Sequence, residues 1–191
     1  MDDASAPKPP VELARPNVRL NGPVDDAMLR AFLEGLSAAE DRGEPLTLEL
    51  TTNGGDADVG RRIAADVRLF RERTGRRTLF LGKATVYSAG VTVLSAFGRR
   101  DRWLARGCAL LVHCRQLNRA VELNGPLLLE RARVEALLGE IDLGLRIEEQ
   151  DFATLIEGSP VPLAELLERA QSGWYLDADE ALQRGLIEGI L

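Results

Sequence analysis

Leu46-Thr47-Leu48-Glu49-Leu50-Thr51-Thr52-Asn53-Gly54-Gly55-Asp56 decides the fold of this chain. From Leu46 to Leu50, leucine alternates with threonine and glutamate. That period of two puts the leucines on one face of a β-strand. Asn53-Gly54-Gly55 then breaks the run as a turn. A helix is expected from about Asp58 to Arg73, with Ile63, Val67 and Phe70 on its apolar side. Strand, tight glycine turn and helix in quick succession indicate an α/β protein with a largely parallel sheet.

The flanking sequence repeats this alternation. Upstream, Val18-Arg19-Leu20 reads as a short strand. Asp25 or Asp26 can cap a helix running to about Asp41, with Leu29, Phe32, Leu33 and Leu36 on one face and Gly43 beyond its end. Downstream, Thr78-Leu79-Phe80-Leu81 is a strand ended by Gly82. Ser88 to Phe97 is small and apolar, suited to a buried helix. Trp103-Leu104 and Cys108 to Val112 are two further short strands. From Gly125 the character changes. Leucines and isoleucines recur at helical spacing to about residue 157, interleaved with Glu and Arg and broken only by Gly139 and Gly144. The predicted helix is far longer than the ~11–12-residue average. A leucine face of that length is expected to project and to bury itself against another subunit. Pro160 and Pro162 precede a short helix to about Ala170. Trp174-Tyr175-Leu176 is a strand, and Asp177 with Glu180 opens a last helix that stops at Gly185. Residues 1–16, rich in proline, are expected to be a disordered tail before a single domain over 17–191.

The composition excludes several classes of function. The chain has 191 residues, 45% of them hydrophobic, with a formal net charge of −6. Its arginines are scattered among glutamates with no basic stripe, which argues against nucleic acid and anionic membranes as partners. No apolar run approaches the ~20 residues that span a bilayer. The N-terminus lacks the apolar stretch of a secretory signal, so the expected location is cytoplasmic. Cys108 and Cys114 cannot bridge along one strand and read as reduced thiols. No recognised metal-ligand spacing is present, and no cofactor is expected.

There is a single histidine, His113, at the end of the apolar run Cys108-Ala109-Leu110-Leu111-Val112. Any general-base chemistry by imidazole near neutral pH must pass through it. Tyr87-Ser88-Ala89-Gly90 lies upstream, and the Gly54-Gly55 pair lies further upstream. Cys114 is a second conceivable nucleophile, but neighbours on a strand point to opposite faces.

The order of these segments resembles the proteolytic subunit of the Clp protease. Val18 to Asp25 is similar to that family's first core strand and turn. Thr51-Thr52-Asn53-Gly54-Gly55-Asp56 stands where the family has Asn-Ser-Pro-Gly-Gly-Ser. Tyr175-Leu176-Asp177-Ala178-Asp179-Glu180-Ala181 and Gly185-Leu186-Ile187-Glu188 match its C-terminal signature. The Tyr87-Ser88-Ala89-Gly90 form looks closer to divergent, Clp-like relatives. The resemblance covers about residues 17–191. It implies a spiral of β-β-α units, shared with crotonases, with a protruding handle over about residues 125–157.

The resemblance also implies a serine peptidase that cleaves peptides or unfolded polypeptides inside an oligomeric ring chamber. Ser88 would be the nucleophile and His113 its base. The N–H groups of Gly55 and Ala89 would form the oxyanion hole, and Gly54 would help bind an extended peptide. The family's third triad member, an aspartate, is absent. The matching stretch reads Leu166-Leu167-Glu168-Arg169-Ala170-Gln171-Ser172-Gly173-Trp174. Glu168 is its nearest carboxylate, and a backbone carbonyl is the other candidate to orient His113. The N-terminal segment, which contacts a Clp-type ATPase in the family, is short and proline-rich here. Two alternatives stay open: a catalytically weak or inactive subunit, and a crotonase-type acyl-CoA enzyme.

Overall fold

The computed structural model describes residues 7–191. Five parallel strands form the spine of one sheet, in the order β1 (Val18–Asn21), β2 (Leu46–Thr52), β3 (Thr78–Tyr87), β4 (Arg102–Leu104) and β7 (Gly189–Ile190). β5 (Ala109–Val112) pairs parallel with the far end of β3. β6 (Trp174–Asp177) pairs antiparallel with β5. The helices are α1 (Asp26–Asp41), α2 (Ala57–Thr74), α3 (Ala89–Ser95), α4 (Leu127–Ile156), α5 (Leu163–Ser172) and α6 (Ala178–Gln183).

Aspartates cap three of the helices, Asp25 and Asp177 as read from the sequence and Asp56 as an addition from the structure. Asp25 accepts the Met28 N–H, Asp56 accepts those of Asp58 and Val59, and Asp177 accepts that of Glu180. α1 buries Met28, Phe32 and Leu36, while α2 buries Ile63, Val67 and Phe70. These side chains join Leu46, Leu48 and Leu50 of β2 in the main core.

β3 departs from expectation. Gly82 does not end it; the strand continues to Tyr87. The two halves of β3 use different neighbours: Phe80–Gly82 pair with β4, and Thr85–Tyr87 pair with β5. Gly82 lies where the Leu104 side chain crosses, since a Cβ there would sit 2.5 Å from Leu104 Cδ2. The glycine therefore marks a close approach within the strand. This handover from β4 to β5 brings the end of β3 beside the end of β5. The two-residue strand β7 has no signal in the sequence.

Residues 1–6 of the expected tail lie outside the described residues. Val11–Ala14 of the same segment form a 3₁₀ turn instead of a disordered chain. Its Leu13 is buried in a small cluster with Leu79, Leu81 and Trp103.

α4 is continuous through Gly139 and Gly144. No residue from 131 to 147 is buried, a stretch about 25 Å long at 1.5 Å per residue. Only its last turns enter the body, through Glu148, Phe152 and Leu155. They are held by Arg102, which is 2% exposed. Its guanidinium donates to the carbonyls of Ser95, Phe97, Thr154, Leu155 and Leu186. One buried cation thereby ties the C-terminal ends of α3 and α4 together. Burial draws the Arg102 pKa down to about 10.

Candidate active site

Ser88 is the single residue between β3 and α3. It holds φ 55° and ψ −120°, a left-handed conformation that a side chain rarely adopts. Strain of this kind costs ~1–3 kcal/mol and persists only where its surroundings impose it. Here the surroundings are explicit. The Ser88 N–H donates to the Leu111 carbonyl at 2.9 Å, and the Ser88 carbonyl accepts the Val91 N–H at 2.8 Å. A sharp turn from strand to helix presents a serine hydroxyl outward at the sheet edge.

The Gly54-Gly55 turn packs directly on this elbow. Gly54 has φ +99°, and a Cβ there would lie 2.6 Å from Ser88 Cβ. Gly55 has φ +151°, and a Cβ there would collide with the Val24 carbonyl oxygen. Both positions need glycine for conformation and for space. Their backbone groups have different fates. The Gly54 N–H donates to Thr52 Oγ1 and its carbonyl accepts the Val24 N–H. Gly54, expected to pair with an extended peptide, therefore has both groups occupied. Among the described residues, neither the Gly55 N–H nor the Ala89 N–H has a protein acceptor.

Gly55, Ser88, Ala89 and His113 line one cavity of about 480 Å³. Its far wall comes from the last turns of α4, with Glu148, Asp151 and Phe152. Residues distant in sequence, from Gly55 to His113, thus share one space. Among the described residues no hydrogen bond joins Ser88 Oγ to His113.

His113 Nδ1 lies 2.7 Å from the carbonyl oxygen of Cys114. A carbonyl only accepts, so this contact places the proton on Nδ1. In the neutral imidazole Nε2 then carries the free lone pair, the form a general base needs. The backbone carbonyl, one of the two candidates to orient the histidine, is the one in contact. Glu168 is not: it is exposed on α5 and lies outside the cavity. The geometric reason is helical phase. Leu166 and Ala170 of α5 turn inward, and Glu168 between them faces solvent.

Neither cysteine is activated as a thiolate. Burial raises the Cys108 thiol to about 12. Burial, and then the charge of Glu148, push the Cys114 thiol up as well. Both cysteines are held as thiols rather than thiolates. Asp151 is also raised, because burial outweighs the arginines Arg61, Arg115 and Arg68 around it. The described residues contain no group of three or more His, Cys, Asp or Glu side chains placed to hold a metal ion. Among the described residues, no helix is long and apolar enough to cross a membrane.

Glu148 and Asp151 are site residues that sequence reasoning missed. They share one face with Phe152 and Leu155, at spacings of three, four and seven residues. A carboxylate in the same register as buried apolar residues is a readable signal. It was hidden because leucines occupy every face of α4.

No family model and no curated protein matches the chain. Among solved structures it is similar to a point mutant of ClpP1 from Listeria monocytogenes, with a TM-score of 0.70 and 16% identity. The match covers 91% of this chain and 90% of that one. At that identity the likeness speaks to architecture alone, and the architecture is a ClpP-like α/β fold.

Proposed function

We propose that the chain is a serine peptidase that cleaves peptides or unfolded polypeptides and works as a ring-forming homo-oligomer. The observation that carries this reading is the shared cavity. It joins a strained serine elbow, two unpaired backbone N–H groups and a histidine whose Nδ1 is already committed.

In the proposed reaction, Ser88 Oγ attacks the scissile carbonyl carbon while His113 Nε2 takes the hydroxyl proton. An Oγ–C bond forms, and the carbonyl π electrons move onto oxygen. The Gly55 and Ala89 N–H groups bind that oxyanion; one such donor is typically worth ~10²–10³ in rate. Collapse breaks the C–N bond, and the imidazolium returns its proton to the departing amine. Water, deprotonated by the same Nε2, then hydrolyses the acyl-serine ester.

The ring assembly is proposed from the clear length of α4 and the ClpP-like fold. A second reading, a subunit that builds a ring without catalysing, draws on the missing Ser88–His113 hydrogen bond. Catalytic contacts are often long in ligand-free structures and tighten on binding. Hydrolysis of an unfolded, fluorescently labelled protein decides between the two. The peptidase reading expects wild-type turnover that Ser88→Ala abolishes. Equal release of fluorescence by both proteins, or by neither, contradicts it.

A further inference from the structure

The peptide unit between Cys114 and Arg115 is engaged at both ends. Its carbonyl oxygen accepts the His113 Nδ1–H at 2.7 Å. Its N–H, carried by Arg115, donates to Oε2 of Glu148. An unbroken chain results: carboxylate, amide N–H, amide C=O, imidazole N–H.

Glu148 is 6% exposed. A buried carboxylate is costly unless its oxygens are used. Arg115, the arginine in the cavity lining, pairs with Asp58 through Nη2, and the nearby Arg61 pairs with Asp151. One oxygen of Glu148 is spent on a single backbone N–H instead. The position of that N–H gives the arrangement its consequence. Amide resonance couples N–H to C=O. An anion at the N–H therefore increases negative charge on the carbonyl oxygen, and hydrogen bonds in series strengthen one another. The Cys114 carbonyl becomes a stronger acceptor at the moment His113 gains its second proton.

We propose that Glu148 is the orienting carboxylate of this site and acts on His113 through the Cys114–Arg115 peptide. It is a positioning residue that takes the place of the absent triad aspartate. The proposal rests on the serine-peptidase reading above for its catalytic meaning, though the relay itself is a property of the resting protein.

The single histidine makes the test clean, because only one imidazole contributes to a ¹⁵N-histidine NMR spectrum. Wild type is expected to show a protonated Nδ1, an unprotonated Nε2 and a slowly exchanging, downfield Nδ1–H. In Glu148→Gln the amide oxygen still accepts the Arg115 N–H, so the loop keeps its bond and loses only the charge. The Nδ1–H signal is then expected to move upfield. Fluorophosphonate labelling is expected to slow on the order of tenfold, well short of the ~10⁴ lost with a directly bonded orienting carboxylate. Glu148→Asp, which restores the charge, is expected to recover part of both. A folded Glu148→Gln protein with the wild-type Nδ1–H signal or the wild-type labelling rate overturns the relay. A wild-type ring protonated on Nε2 instead of Nδ1 also overturns it, whether or not the variant folds. If the Nδ1–H signal responds to Glu148→Gln but wild type never reacts with the probe, the relay stands and the peptidase reading falls.

Discussion

His113 shows how much one residue can carry. A lone histidine concentrates all imidazole chemistry at one position, and its place after an apolar strand was plain from composition and order. Its orienting partner was not, because a backbone carbonyl leaves no trace in a sequence. The carboxylate nearest the expected place, Glu168, is turned to solvent by the phase of α5. Glu168→Gln is therefore expected to leave fluorophosphonate labelling within about twofold of wild type, the range of an exposed substitution away from the site. A large loss, measured as a second-order labelling rate, would return Glu168 to the site. The glycine pair was legible as a turn. That Gly54 is spent on Thr52 and Val24, leaving Gly55 as the free edge, depends on register between strands and appears only in three dimensions.

At the scale of elements, strands and helices with strong periodicity or a capping aspartate stood where the sequence placed them. β3 did not, because its partner switch from β4 to β5 is a tertiary event. The same switch brings Ser88 and His113 to one edge. Arg102 braces that edge from behind by bonding the ends of α3 and α4. Arg102→Met would leave several buried carbonyls without a donor. It is expected to cost about 3 kcal/mol or more in urea unfolding. Arg102→Lys keeps the charge but not the fork, and should fall between the variant and wild type. Asp151, on the inner face of α4, gives a pH signature. Its folded pKa is raised, so the native state holds its proton more tightly than the unfolded chain. That contribution to stability is present below the unfolded carboxylate value and is lost as pH rises through the folded one. Asp151→Asn, which mimics the protonated form, should raise the melting temperature at pH 7. The gain should vanish below about pH 4, the ordinary carboxylate range. A gain that persists in acid would contradict the sign of the shift.

At the scale of the whole molecule, α4 carries apolar surface that the rest of the chain does not cover. Leu128 is 80% exposed, and Leu129, Leu138, Leu143 and Leu145 are more than half exposed. Exposed leucines in that number are a marker of an interface. Native mass spectrometry is expected to show a multiple of the 20.9 kDa chain. Replacing Leu138 and Leu145 together by glutamate should shift it toward smaller species, while far-UV circular dichroism stays helical. A monomeric wild type would remove the assembly from the account. The helix itself was readable from its leucine spacing. Which of its faces enters the core was not, since Phe152 and Leu155 are the only apolar residues buried along it.

The central claim is that Ser88 is a nucleophile activated by His113. Intact-mass analysis after treatment with a fluorophosphonate probe tests it most directly. Wild type should gain the mass of one probe, mapped to Ser88 by peptide sequencing. Ser88→Ala should gain none, and His113→Gln should label slower by at least ~10³, as for loss of a triad base. A folded, oligomeric wild type that stays unmodified, or one that is modified at a residue other than Ser88, would contradict the account.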